Sequence, residues 1–246
     1  MKRLVAYSSL SHLGFVMLGI YTLNSNGLRG SIVQMVSHGL SSAALFLLVG
    51  SIYERRQTAR LSEFGGIAKV MPRFSAVLVL VVLSAIGLPM TSGFVGEFMI
   101  LLGAFMSDVL GRQGAIAALF SATALVLAPI YLLRALYRVL WGPLTNRENE
   151  TLADLSTREH LVLVPLVALI LYIGFVPNHI LQPMAASVDR FTIEYVAKLR
   201  AGQANPTARA LLEDDYAPTH WAAQSAPSER ARLAAAPKPT VARATR

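Results

Sequence analysis

Five long, charge-poor stretches, roughly 4–23, 30–53, 74–107, 114–141 and 159–176, take up about half of the 246-residue chain. Each is near or above the ~18 apolar residues that cross a bilayer as a helix, so a water-soluble single domain is excluded first. Composition agrees, with 54% hydrophobic and 15% charged residues against about 25% charged in an ordinary globular protein. No strand-like alternation and no internal repeat interrupts the pattern. The expected fold is an all-α membrane protein of about five transmembrane helices.

The net charge of +8 does not point to nucleic acid. Nine of the 22 lysines and arginines follow residue 176, and most of the others flank the apolar stretches, where membrane proteins carry them. Arg29 and Arg112 stand alone after the first and third stretches, whereas Arg55, Arg56, Arg60, Lys69 and Arg73 crowd the loop after the second. By the positive-inside rule the N-terminus and the loops 54–73 and 142–158 face the cytoplasm, which sends the C-terminus to the other side. The basic tail argues the opposite, but charge bias acts most strongly through short loops close to span ends. Met1-Lys2-Arg3 resembles the start of a signal peptide, yet no small-residue cleavage site follows, so none is expected. The absence of cysteine excludes disulfides, thiolate metal sites and cysteine-ligated iron–sulfur clusters within these residues.

Residues 1–177 are therefore expected to form the transmembrane bundle. In 178–200, Ile180, Met184, Val188, Phe191, Tyr195 and Leu199 recur at spacings of three and four among polar residues, the pattern of an amphipathic interfacial helix. Asp189, Arg190 and Glu194 argue against that segment crossing the membrane. From 201 to 246 an Ala/Pro/Arg-rich composition with five prolines is expected to be disordered.

Inside the spans three titratable side chains stand out, His12, His38 and Glu97. Such groups are costly in hydrocarbon and mark function by default. Ser8 and Ser9 lie one turn before His12, and Gln34, Ser41 and Ser42 lie one turn either side of His38, so each histidine shares a helix face with polar groups. Ser92, Gly93 and Gly96 leave room beside Glu97. The plain alternative is that the histidines and serines only hydrogen-bond neighbouring helices. The third stretch, 34 residues counting from 74 to 107, is too long for one straight span of ~20. It contains Gly87-Leu88-Pro89-Met90-Thr91-Ser92-Gly93, so a helix broken at Pro89 is expected, a device found at transporter ion sites. Pro129 is compatible with a simple kink. Arg134 fits snorkelling to the interface, while Arg138 is left open between snorkelling and an inward pair.

The segments Lys2-Arg3-Leu4-Val5-Ala6-Tyr7-Ser8-Ser9, Ser11-His12-Leu13-Gly14-Phe15, His38-Gly39-Leu40-Ser41, and Gly87-Leu88-Pro89 through Gly93-Phe94-Val95-Gly96-Glu97-Phe98 closely resemble subunit M of proton-pumping NADH-quinone oxidoreductases. This is the antiporter-like family that includes mitochondrial subunit four. The resemblance covers about residues 1–180 and implies the C-terminal part of that subunit, holding most of the second of two inverted repeats, each with a broken helix. It implies further that Glu97 is the terminal proton-loading residue, standing where sister subunits and multisubunit cation/proton antiporters usually have lysine. His38 and His12 resemble the histidines that lead to it, and Arg138 before Leu140-Trp141-Gly142 resembles an arginine ahead of an aromatic–glycine pair. Family members are considerably longer, so a truncated or split gene product, inactive alone, is expected.

The expected function is proton translocation, with a buried carboxylate that binds and releases protons and histidines that titrate near neutral pH as relay groups. No redox cofactor is expected in this chain. The resemblance implies as partners the other membrane-arm subunits, including neighbouring antiporter-like ones, and a bacterial inner membrane as location. The bilayer itself is the other partner; no nucleic acid is expected. A cation/proton antiporter subunit is the alternative. An intramembrane serine hydrolase using His38 is a third reading, disfavoured because no Gly-x-Ser-x-Gly elbow occurs.

Overall fold

The computed structural model describes residues 1–144 and 146–204, with side chains through 201. Eight α-helices follow one another: α1 (Lys2–Tyr21), α2 (Ser25–Arg56), α3 (Ile67–Val70), α4 (Pro72–Ala85), α5 (Ser92–Phe105), α6 (Gly111–Leu140), α7 (Thr157–Phe175) and α8 (Asn178–Ala204). No strand occurs among the described residues. The chain divides between Ile193 and Glu194, and Met1–Ile193 forms one compact unit. The expectation of a disordered tail falls mostly on 205–246, outside the described residues.

Four helices, α1, α2, α6 and α7, are each long and apolar enough to cross a membrane. The third expected span is the pair α4 and α5, two 14-residue helices separated by a linker, 86–91, that holds Pro89. The expected break is therefore present. Pro129 and Pro165 instead lie within continuous helices.

Helix α2 is the centre of the bundle. Its Leu45, Leu48, Val49 and Ile52 pack with Phe74, Val81 and Val82 of α4, Leu132, Leu136 and Val139 of α6, and Leu163 of α7. Since lipid tails are as apolar as leucine, close approach of backbones must supply much of the cohesion in such a bundle. Glycines allow it where α2 meets α5: a Cβ on Gly30 would lie 2.8 Å from Ile100 N, and one on Gly96 would lie 2.8 Å from Gln34 Cα. Both distances are too short for any side chain.

The loops at the C-terminal end of α2 are fastened by polar contacts. Arg55 binds Glu159 with both terminal nitrogens, 2.7 Å each, and Ser51 Oγ donates to the same carboxylate at 2.6 Å. Glu159 also completes a capping box with Ser156 at the start of α7. Arg56 pairs with Glu148, and the N-terminal ammonium donates to Ala59 O at 2.7 Å. Helix α4, which lacks a capping side chain at its own N-cap Met71, is capped from afar: Asp154 accepts from Arg73 N at 2.9 Å and Phe74 N at 3.0 Å. At the opposite end of α2, Asp189 of α8 receives Arg29 Nη2 at 2.5 Å and Ser25 Oγ at 2.6 Å. Arg134 and Arg138 are both exposed, and neither forms an ion pair among the described residues, so the inward pairing left open for Arg138 is not seen.

Candidate functional site

The three titratable residues converge from three helices. His12 sits on α1, His38 on α2 and Glu97 on the second turn of α5, just beyond the break. His12 Nδ1 lies 3.1 Å from Glu97 Oε1, and the rings of His12 and His38 are 5.0 Å apart between centroids. Glu97 is 3% exposed and His12 7%, so a charge on either must be matched by the other or absent. His38 is half-buried.

A fourth side chain completes the cluster. Gln34, 2% exposed, extends its Nε2 to within 3.3 Å of His12 Nδ1 and donates to Glu97 Oε1 at 3.4 Å. Its position one turn before His38 made it legible as polar company for that histidine. Its contact with Glu97 was not, because it joins residues 63 apart in sequence.

The break shapes the space around the carboxylate. Gly87 adopts φ +71°, a left-handed conformation that glycine takes without steric cost, and a Cβ there would lie 2.3 Å from Glu97 Oε2. Peptide groups freed by the break are satisfied locally: Leu88 N donates to Leu83 O, Gly87 N to Ser84 O, and Thr91 N to Leu88 O, at 3.0, 3.1 and 3.0 Å. Gly174 of α7 covers the linker so closely that a Cβ would meet Met90 O at 2.2 Å. Residues 88–90 are nonetheless exposed, so the irregular backbone is held by these local bonds.

Hydroxyl pairs tie α2 to both halves of the broken helix. Ser37 Oγ donates to Ser92 Oγ at 2.7 Å, just after the break, and Ser41 Oγ is 3.0 Å from Ser84 Oγ, just before it. Tyr131 of α6 donates to Ser8 Oγ at 3.1 Å, one turn before His12. Ser42 is half-buried and, among the described residues, bonds only its own helix, to Gly39 O, so it does not join the serine pairs. Among the described residues no serine hydroxyl hydrogen-bonds His38 or His12, which leaves the hydrolase reading without its nucleophile–base pair. What the arrangement can do is pass a proton between an imidazole and a carboxylate within hydrogen-bond distance, shielded from bulk water.

Comparison with known proteins identifies the family. The family model for the transmembrane region of NADH:quinone oxidoreductase and Mrp antiporter proteins matches residues 1–125. The chain belongs to this family. Among relatives, NADH-quinone oxidoreductase subunit M of Rickettsia typhi is 40% identical over 194 residues, covering 79% of this chain and 38% of that protein. Subunit M of Rhodobacter capsulatus is 39% identical over 199 residues, covering 81% and 38%. The chain thus spans well under half the length of these antiporter-family relatives. Among solved structures, a chain of respiratory complex I from Thermus thermophilus with bound NADH superposes with a TM-score of 0.68 and 28% identity over 78% of this chain and 40% of that one. A chain of the Mrp complex from Dietzia sp. DQ12-45-1b does so with a TM-score of 0.63 and 20% identity over 76% and 42%, a likeness of fold. The chain is accordingly a multi-pass membrane protein of the antiporter-like kind.

Proposed function

We propose that this chain is the C-terminal part of a proton-translocating membrane-arm subunit of a bacterial NADH:quinone oxidoreductase, seated in the inner membrane among the other membrane-arm subunits. The reading rests on one observation: Glu97 is buried against His12 at 3.1 Å beside a broken helix. A carboxylate held there exchanges its proton with the imidazole instead of with water, and the half-buried His38, with its ring 5.0 Å from His12, offers the next titratable group along α2. The chain contributes no redox step; it moves protons in answer to chemistry in other subunits and is inactive alone. In the assembled complex in inside-out vesicles, Glu97→Gln keeps the shape and removes the exchangeable proton. Loss of acidification with normal assembly is the expected result, and acidification at the parental rate overturns the assignment.

A second reading, exchange of a metal cation for protons, is favoured by the family description, which includes Mrp antiporters. It predicts acidification or alkalinisation that follows added sodium without any electron donor.

A further inference from the structure

We infer that Gln34 is a positioning residue whose side-chain amide accommodates the shared proton on either His12 or Glu97. The inference rests on the proposed proton-carrying role of that pair. His12 Nδ1 is approached both by Glu97 Oε1, at 3.1 Å, and by Gln34 Nε2, at 3.3 Å. A ring nitrogen that carries a proton donates and one that carries a lone pair accepts, so while Glu97 is ionised the two contacts cannot both be hydrogen bonds at once. With both ring nitrogens protonated, the imidazolium donates from Nδ1 to the Glu97 carboxylate and the Gln34 amide donates to the same oxygen, 3.4 Å away. With the proton on Glu97, the N–H bond of His12 has broken and an O–H bond has formed on the carboxyl. Nδ1 then holds a lone pair, which accepts from Gln34 Nε2. The amide has two N–H groups and serves both states from one position.

Two further observations fix Gln34 in that role. Gly96 makes the room that Gln34 occupies, since a Cβ there would lie 2.4 Å from Gln34 Oε1 and 2.8 Å from its backbone nitrogen. That same Oε1 is buried and accepts nothing among the described residues, although buried polar atoms are nearly always paired. The amide carries an acceptor beside its donors, whereas a lysine in its place could only donate. The remaining titratable groups around the pair are few. Helix α2 brings His38, and α6 brings Tyr131, bonded to Ser8. The arginines of α6 and Glu159 of α7, which binds Arg55, form no ion pair with His12 or Glu97.

The test compares Gln34→Leu, which keeps the bulk and removes the amide, with Gln34→Glu and the parent in the assembled complex. Acidification is measured across pH, and the protonated-carboxyl C=O band is followed by difference infrared spectroscopy. Removing a donor to a carboxylate costs the charged pair more than the neutral one. Gln34→Leu therefore moves the pH profile to the alkaline side by about half a unit or more, and the carboxyl band persists to higher pH. Gln34→Glu, which offers one donor when protonated and none when ionised, follows the parent at acid pH and falls away at alkaline pH. A Gln34→Leu complex that assembles with an unmoved profile and band overturns the inference, even where Glu97→Gln abolishes pumping. If Glu97→Gln itself pumps normally, the assignment of the site fails instead.

Discussion

Gly87 and Glu97 compete for one volume: the space in which a Cβ of residue 87 would stand is taken by Oε2 of Glu97, 2.3 Å from it. The break in the third span therefore does more than interrupt a helix. It turns the chain through a left-handed glycine and so makes the niche in which the carboxylate lies.

Gly87→Ala should consequently damage the site without touching a titratable group. The methyl group displaces the carboxylate from His12, and the φ of +71° adds about 1–2 kcal/mol of backbone strain. A displacement of about 1 Å at a transfer site costs on the order of 100-fold, so acidification should fall 10- to 100-fold in a complex that still assembles. Acidification within twofold of the parent would show that the niche is not shaped by this residue.

Glu159 accepts from three residues at once, Arg55, Ser51 and the N-cap Ser156 of α7. Glu159→Ala removes the capping box and leaves the partly buried Arg55 without its carboxylate. Loss of the cap costs ~1 kcal/mol and the stranded guanidinium a further ~1–3. Thermal unfolding of the detergent-solubilised protein should show a clear fall in midpoint. Glu159→Gln, which keeps some of the hydrogen bonds, should fall between Glu159→Ala and the parent.

Asp189 links the middle of α8 to the first turns of α2 through Arg29 and Ser25. Ser25 Oγ–H chiefly, with Arg29 in support, holds the aspartate below the usual carboxylate range. A group depressed in the folded state contributes above its unfolded value and stops contributing as pH falls through the folded one. Amide exchange in 178–190 should thus accelerate in Asp189→Asn at neutral pH, and in the parent only at acid pH. Arg29→Asp combined with Asp189→Arg should slow it again. Equal exchange in all three proteins would mean that the contact does not hold the helix.

Much of this architecture was legible because lipid makes apolar length and buried charge conspicuous. A 34-residue stretch from 74 to 107 with a central Gly-Leu-Pro had to break, and α4 and α5 are its halves. His12, His38 and Glu97 stood out as titratable groups in oil, and the structure brings them together. What the sequence hid were partnerships over long separations between residues that each looked ordinary. Gln34 read as company for His38, not as a link to Glu97. Arg29 read as a charge that sets topology, with no hint of Asp189. Ser92 read as a small residue making room, whereas it bonds Ser37. Local periodicity reports which face a residue is on, but not which helix comes to meet it.

Asp154 is the strongest case of such a hidden partner, and it yields a pH prediction. Burial raises its pKa, but backbone donors from Arg73, Phe74 and Leu155, with the Arg73 charge, outweigh burial and hold it below the usual value. The native state therefore binds a proton less readily than the unfolded chain, and the cap stabilises α4 fully only above the ordinary aspartate value near pH 4. As pH falls below that, the carboxylate protonates, two N-terminal amides of α4 lose a charged acceptor, and the contribution of ~1 kcal/mol disappears. Asp154→Asn keeps one carbonyl acceptor but no charge. Its unfolding midpoint should lie below that of the parent at pH 7, and the gap should close as both are titrated into the acid range. A gap that stays constant from neutral to acid pH would mean that the carboxylate's charge contributes nothing to the cap.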